Sequence, residues 1–142
     1  MSVIDKIEAA ARHKGTVTGL ATGFYDLDYK TSGLQPSDLI LISARPSMGK
    51  TAFVLNLAQY MCVRNHVPTA IFSLEMSKDQ LVNRILSMES KVDSQSMRTG
   101  TLQPADWEKL IESAGVISTA PLIIDDTPGI SITELRSKCR KY

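Results

Sequence analysis

The chain has 142 residues, 43% hydrophobic and 22% charged, a balance that supports a buried core and excludes a disordered segment. Its formal net charge of +1 excludes the overall basic footprint by which composition alone announces a nucleic-acid binder. The opening "MSVIDKIEAAARHKG" mixes acids and bases and no apolar run approaches ~20 residues, so neither a signal peptide nor a membrane span is expected and the cytoplasm is the predicted location.

Val3, Ile4, Ile7, Ala10 and Ala11 recur at helical spacing with Gly15 just beyond, which predicts an amphipathic helix over residues 3–13. So short a helix is marginal alone and must dock or fray. A lead-in segment rich in Gly, Thr, Ser and Asp follows, with one short helical stretch over 24–30. Residues 39–44 are apolar at nearly every position, as in a parallel strand covered on both faces, and a helix is expected from Gly49 to about Arg64. Cys62, inside that helix, and Cys139, near the end of the chain, form no CxxC pair and read as thiols of a reducing compartment rather than metal ligands.

A second strand is expected over 69–73, and Ser77 with Gln80 has the form of a capping box opening a helix that reaches about Glu89. Pro104 opens another helix, whose stripe of Trp107, Leu110, Ile111 and Ala114 predicts core packing for Trp107. Residues 121–124 form a third strand candidate, and Ser131 with Glu134 a second capping box, leading a final helix to Tyr142. Alternating strands and helices predict an α/β fold with a parallel sheet and right-handed crossovers. Three strands are fewer than the ~4 to 6 of an ordinary sheet, so the chain is expected to be the first part of a larger domain.

The stretch "ARPSMGKT", residues 44–51, has P-loop spacing with Ala44 where such loops usually open on glycine. Ala44 closes the strand and need only keep a negative φ, while Pro46 supplies rigidity. Gly49 permits the tight turn into the helix, so that the N–H groups of Ser47, Met48, Gly49, Lys50, Thr51 and Ala52 converge on phosphate oxygens. Lys50 adds a full charge toward the β- and γ-phosphates and the Thr51 hydroxyl suits Mg²⁺, which makes ATP and Mg the expected ligands. Glu75 ends the second strand, where a carboxylate serves equally as a base that activates water or as a surface acid beside a helix N-terminus. Asp125 and Asp126 end the third strand as metal-binding acids do, but "DDTPG" is also ordinary turn composition. Arg136, Lys138, Arg140 and Lys141 read as a solvated face at a helix C-terminus.

Taken in order, "TGLATGFYDLD", "SGLQPSDLILISARPSMGKT", "IFSLEMS", "RTGTLQPADWEKL" and "IIDDTPGISITELRSKCR" resemble the bacterial replicative DNA helicases of the DnaB type. The resemblance covers nearly the whole chain and includes the loop that lacks its first glycine. It implies a P-loop NTPase of RecA-like three-layer αβα architecture, acting as a homo-hexamer that hydrolyses ATP, translocates on single-stranded DNA and meets other replication-fork proteins. It further implies that Glu75 is the catalytic glutamate, that Lys50 and Thr51 are the phosphate and magnesium residues, and that residues 1–15 are a linker helix packing on the neighbouring subunit. Residues 16–142 become the N-terminal part of the motor domain. The same resemblance demotes Asp125 and Asp126, because the family's Walker B strand follows the helix that begins here at Ser131. On that basis the chain is expected to bind nucleotide with little turnover. The competing readings are another RecA-like ATPase of the repair type, a small P-loop kinase, whose lid and acceptor site are not identifiable, and a non-catalytic subunit-interaction module.

Overall fold

Helices form where their end signals stand, and the strands form only where a partner strand exists. The computed structural model describes residues 2–12 and 18–142, in two compact units, Met1–Phe53 and Val54–Tyr142.

In the first unit, helix α1 runs over Val3–Arg12; the expected end at His13 and the stop signal at Gly15 lie outside the described residues. Its start is tied by Ser2, whose N–H donates to Asp5 Oδ2 at 2.9 Å while the Asp5 N–H donates to Ser2 Oγ at 3.2 Å. Val3, Ile4 and Ile7 are 73%, 68% and 62% exposed, so these apolar side chains of α1 stand largely open to solvent. Helix α2 (Tyr25–Thr31) is organised by Asp28. That buried carboxylate accepts from the Thr22 N–H at 2.9 Å, the Thr22 hydroxyl at 2.6 Å and the Gly23 N–H at 3.2 Å. Burial pushes the Asp28 carboxyl up, but these bonds to its ionised form outweigh it and the net shift is downward. Leu20 and Leu34 form an antiparallel bridge. A Cβ at Gly19 would stand 2.6 Å from the Leu34 carbonyl oxygen, so only glycine allows that approach.

Residues 39–44 form no strand, contrary to the expectation from their composition. Leu39 and Leu41 are 87% and 83% exposed. An apolar run becomes a strand only when neighbouring strands take up its N–H and C=O groups, and among the described residues no strand is paired with it.

Helix α3 (Lys50–Ala58) continues as a π-helix over Gln59–Arg64, reaching the expected end with wider turns in its last part. The Gln59 side chain donates to Glu89 Oε2 at 2.7 Å. Cys62 is fully buried there, and burial pushes its thiol up, as befits an inert sulfur.

The second unit is built on two parallel strands, β1 (Thr69–Phe72) and β2 (Leu122–Asp125), paired Thr69 to Leu122 through Phe72 to Asp125. Around them lie α4 (Lys78–Ser90), α5 (Ser94–Thr99), α6 (Pro104–Ser118) and α7 (Ile132–Lys141). The capping box at Ser77 and Gln80 is formed in full, and Ser131 Oγ accepts from the Glu134 N–H at 3.1 Å. The short helix α5, capped by Asp93, has no counterpart in the expected elements. Leu55, Leu81 and Ile85 form the core, with Ile71, Ile117 and Leu122 packed against them. Full burial of such a side chain is worth about 1.5–3 kcal/mol.

Trp107 is a correction. It is 54% exposed and Ile111 70%, while Leu110 and Ser113 are buried. The face of α6 that turns inward carries residues 110, 113 and 117, with α4 as its neighbour. Where two apolar stripes adjoin on one helix, periodicity shows that both exist and the packing partner selects one.

Candidate active site

The expected phosphate loop, residues 44–52, lies in the first unit and is exposed except for Thr51, which is half-buried. Ala44 keeps a negative φ, so the lack of glycine there costs nothing. Pro46 enters the turn, Ser47 takes φ 64°, Met48 returns to negative φ, and Gly49 takes φ 82°. A backbone that alternates in hand turns successive N–H groups toward one concave side, the geometry that receives anions. A Cβ on Gly49 would meet nothing within 4 Å; glycine is required there for its φ and not for space. Ser47 holds the left-handed region without that licence, which costs roughly 1–2 kcal/mol, and such outliers gather at ligand-holding loops. The Met48 N–H donates to the Arg45 carbonyl at 3.3 Å and the Phe53 N–H to the Gly49 carbonyl at 2.9 Å, joining the loop to α3. Helix α3, with the positive end of its dipole, therefore begins at Lys50. Lys50 is exposed and forms no ion pair among the described residues.

Glu75 lies in the second unit, exposed on the turn 73–77 between β1 and α4. The turn is short and thoroughly bonded. Ser73 donates its N–H to the Asp125 carbonyl at 2.9 Å, while its Oγ donates to the Met76 carbonyl at 2.7 Å and accepts from the Met76 N–H at 3.1 Å. At the far end the Ser77 N–H donates to Gln80 Oε1 at 3.1 Å, and the Lys78 N–H donates to Asp126 Oδ2 at 2.8 Å.

Asp125 and Asp126 are thus both engaged. Lys138 Nζ donates to Asp125 Oδ2 at 2.6 Å, and the Thr127 hydroxyl and N–H donate to its Oδ1 at 2.5 and 2.9 Å. The Lys138 hydrogen bond, followed by those from Thr127, holds the Asp125 carboxyl down to about 2. Lys138, grouped with Arg136, Arg140 and Lys141 as a solvated face, is instead an internal tie. Sequence patterning marks α7 as basic toward its end but has no signal for which cation turns inward. Among the described residues no group of three or more His, Cys, Asp or Glu is placed to hold a metal ion. Sequence reading also missed a cleft of about 360 Å³ between α4 and α5, lined in part by Met76, Arg84, Met97 and Arg98.

Comparison with known proteins sets these features beside others of their kind. Residues 19–142 match the family described as DnaB-like helicase C-terminal domain. The chain is 50% identical over 137 residues to the replicative DNA helicase DnaB of Geobacillus stearothermophilus, covering 96% of this chain and 30% of that protein. Among solved structures it is similar to an ATPase domain, with a TM-score of 0.90 and 33% identity over 98% of this chain and 49% of that one. It is also similar to a DnaB-like replicative helicase studied with its primase interactions, with a TM-score of 0.88, 33% identity, and coverage of 98% and 33%. The chain therefore spans about a third of the length of the curated relative it matches.

Proposed function

Because the chain belongs to the family of DnaB-like helicase C-terminal domains, we propose that it is the nucleotide-binding part of a replicative DNA helicase motor of RecA-like α/β fold. The observation that carries this reading is the loop of alternating hand that opens α3, with Lys50 in no ion pair among the described residues.

In this reading the N–H groups of Ser47, Gly49, Lys50, Thr51 and Ala52 bind the phosphates of ATP, that of Met48 joins them by giving up its 3.3 Å bond to the Arg45 carbonyl, and the Lys50 ammonium draws charge from the β- and γ-oxygens. The Thr51 hydroxyl, in the first turn of α3, is the group that would hold Mg²⁺. When bound, that ion neutralises charge on the β- and γ-phosphates. Glu75 orients a water and accepts its proton as the water oxygen bonds to the γ-phosphorus and the bond from that phosphorus to the bridging oxygen breaks, with ADP as the leaving group. The engagement of Asp125 by Lys138 and Thr127 supports leaving it out of the metal shell. Residues 1–15 serve as the linker and 16–142 as the motor segment. The exposed stripe of Val3, Ile4 and Ile7 favours packing of α1 on a neighbouring copy, in a hexameric ring that moves on single-stranded DNA in the cytoplasm with the other proteins of the fork.

Titration of this chain with a fluorescent ATP analogue and Mg²⁺ tests the first step. Saturable binding that weakens at least about tenfold in Lys50→Ala is expected, given the strength of charge-assisted contacts to phosphate; binding indifferent to Lys50 would overturn the reading. In the longer protein that carries this segment, Glu75→Gln should lower phosphate release by roughly a hundredfold or more while nucleotide binding stays.

A further inference from the structure

We infer that Asp126 is a positioning residue for Glu75, an inference that rests on the proposed role of Glu75 as base. Glu75 is exposed and the structure gives its side chain no buried surroundings that would settle its place. Its aim therefore depends on the backbone of turn 73–77. Ordering that backbone costs roughly 1–2 kcal/mol per residue, and the bonds that offset this cost define what steers the glutamate.

Some of these bonds are local. The Ser73 hydroxyl closes the front of the turn on Met76, and the box of Ser77 and Gln80 closes the back. Local bonds shape the turn but do not orient it on the sheet. Two bonds from the end of β2 do that. One is main chain, Ser73 N–H to the Asp125 carbonyl, and extends the register that pairs Phe72 with Asp125. The other is the Asp126 carboxylate, which accepts from the Lys78 N–H at 2.8 Å across 48 residues of sequence. It meets the first residue of α4, where an orphan N–H and the positive end of the helix dipole both favour an anion. Glu75 thus sits between two anchors on adjacent residues of β2 and the loop after it. That loop is itself held, because Asp125 is bound by Lys138 from α7 and by Thr127. Release of the Asp126 anchor frees the α4 end of the turn while the Ser73 end stays, and the carboxylate of Glu75 swings.

The test uses the longer protein that carries this segment, with Asp126→Ala, Asp126→Asn, Glu75→Gln and the double variant Asp126→Ala with Glu75→Gln. Misplacement of a reacting group by about 1 Å costs up to about a hundredfold. Asp126→Ala should therefore lower kcat for ATP hydrolysis roughly tenfold or more, with KM for ATP within about twofold of the parent. Asp126→Asn, whose amide oxygen still accepts the Lys78 N–H, should recover to within about threefold. In the Glu75→Gln background Asp126→Ala should cost nothing further, because residues acting through one group are not additive. Hydrogen exchange should quicken at residues 74–78 and not along β1. Parent-like kcat in Asp126→Ala, failure of Asp126→Asn to rescue, full additivity with Glu75→Gln, or loss of protection throughout β1 and α4 would each overturn the inference. Parent-like turnover in Glu75→Gln would overturn the reading beneath it; a dead Glu75→Gln beside an unaffected Asp126→Ala would overturn the positioning role alone.

Discussion

The loop at 44–49 and the turn at 73–77 both lead into a helix, yet they are held in opposite ways. The loop is shaped by its own backbone: Pro46, the left-handed Ser47 and Gly49, and bonds that close within a few residues. The turn is shaped from a distance, by the Asp125 carbonyl and the Asp126 carboxylate at the end of β2. A motif carried by local φ values can be recognised in any sequence that contains it. A site carried by long-range bonds depends on the packing that brings its anchors near.

The contrast makes predictions of decreasing size. Leu81→Ala removes a residue that is 2% exposed from the core beneath the turn and should cost about 2–5 kcal/mol in chemical denaturation. Its hydrogen-exchange loss should fall on β1, α4 and α6; equal loss of protection at residues 46–49 would break the contrast. Gly49→Ala acts the other way round. Alanine at φ 82° costs about 1–2 kcal/mol, and a shift of that size should weaken nucleotide binding roughly tenfold while the unfolding of the second unit is unchanged.

Acid should act on the second unit through Asp125. The Asp125 carboxyl is depressed from 3.8 to about 2 in the folded chain, so its contribution is present above pH 3.8 and is lost as pH falls through about 2. Lys138 is raised above its usual 10.5, mainly by the same hydrogen bond, so its contribution is present below pH 10.5 and is lost as pH rises through its higher folded value. The urea midpoint of the second unit should therefore decline between about pH 4 and about pH 2, and Asp125→Asn should flatten that decline. A midpoint that declines equally in both proteins would place the acid sensitivity elsewhere. The smallest effect belongs to Trp107→Ala. On an exposed face of α6 it should change stability by no more than about 0.5 kcal/mol, and a loss of several kcal/mol would restore Trp107 to the core.

Much of the second unit was legible in residues whose signals are local. Ser77 with Gln80, Pro104 and Ser131 each opened a helix within a residue of the expected start, because a cap is a bond between near neighbours. The strands at 69–72 and 122–125 were legible as apolar runs, and they form because they have each other. Residues 39–44 are as apolar and form none, since composition states a demand for partners without supplying them. Helix α5 escaped notice because six residues of polar sequence carry almost no periodic signal.

The backbone shape of the loop at 44–49 was legible in sequence, since Pro46 and Gly49 act through φ angles that need no distant help. Membership of the family was equally legible there, through the order of the chain's blocks. What Asp125, Asp126 and Lys138 do was a matter of packing. An aspartate at a strand end has the same side chain whether it binds a metal, turns a loop or clamps a helix. Its role was set by Lys138 and the Lys78 N–H, brought within 2.6 and 2.8 Å by the pairing of β1 with β2 and the return of α7.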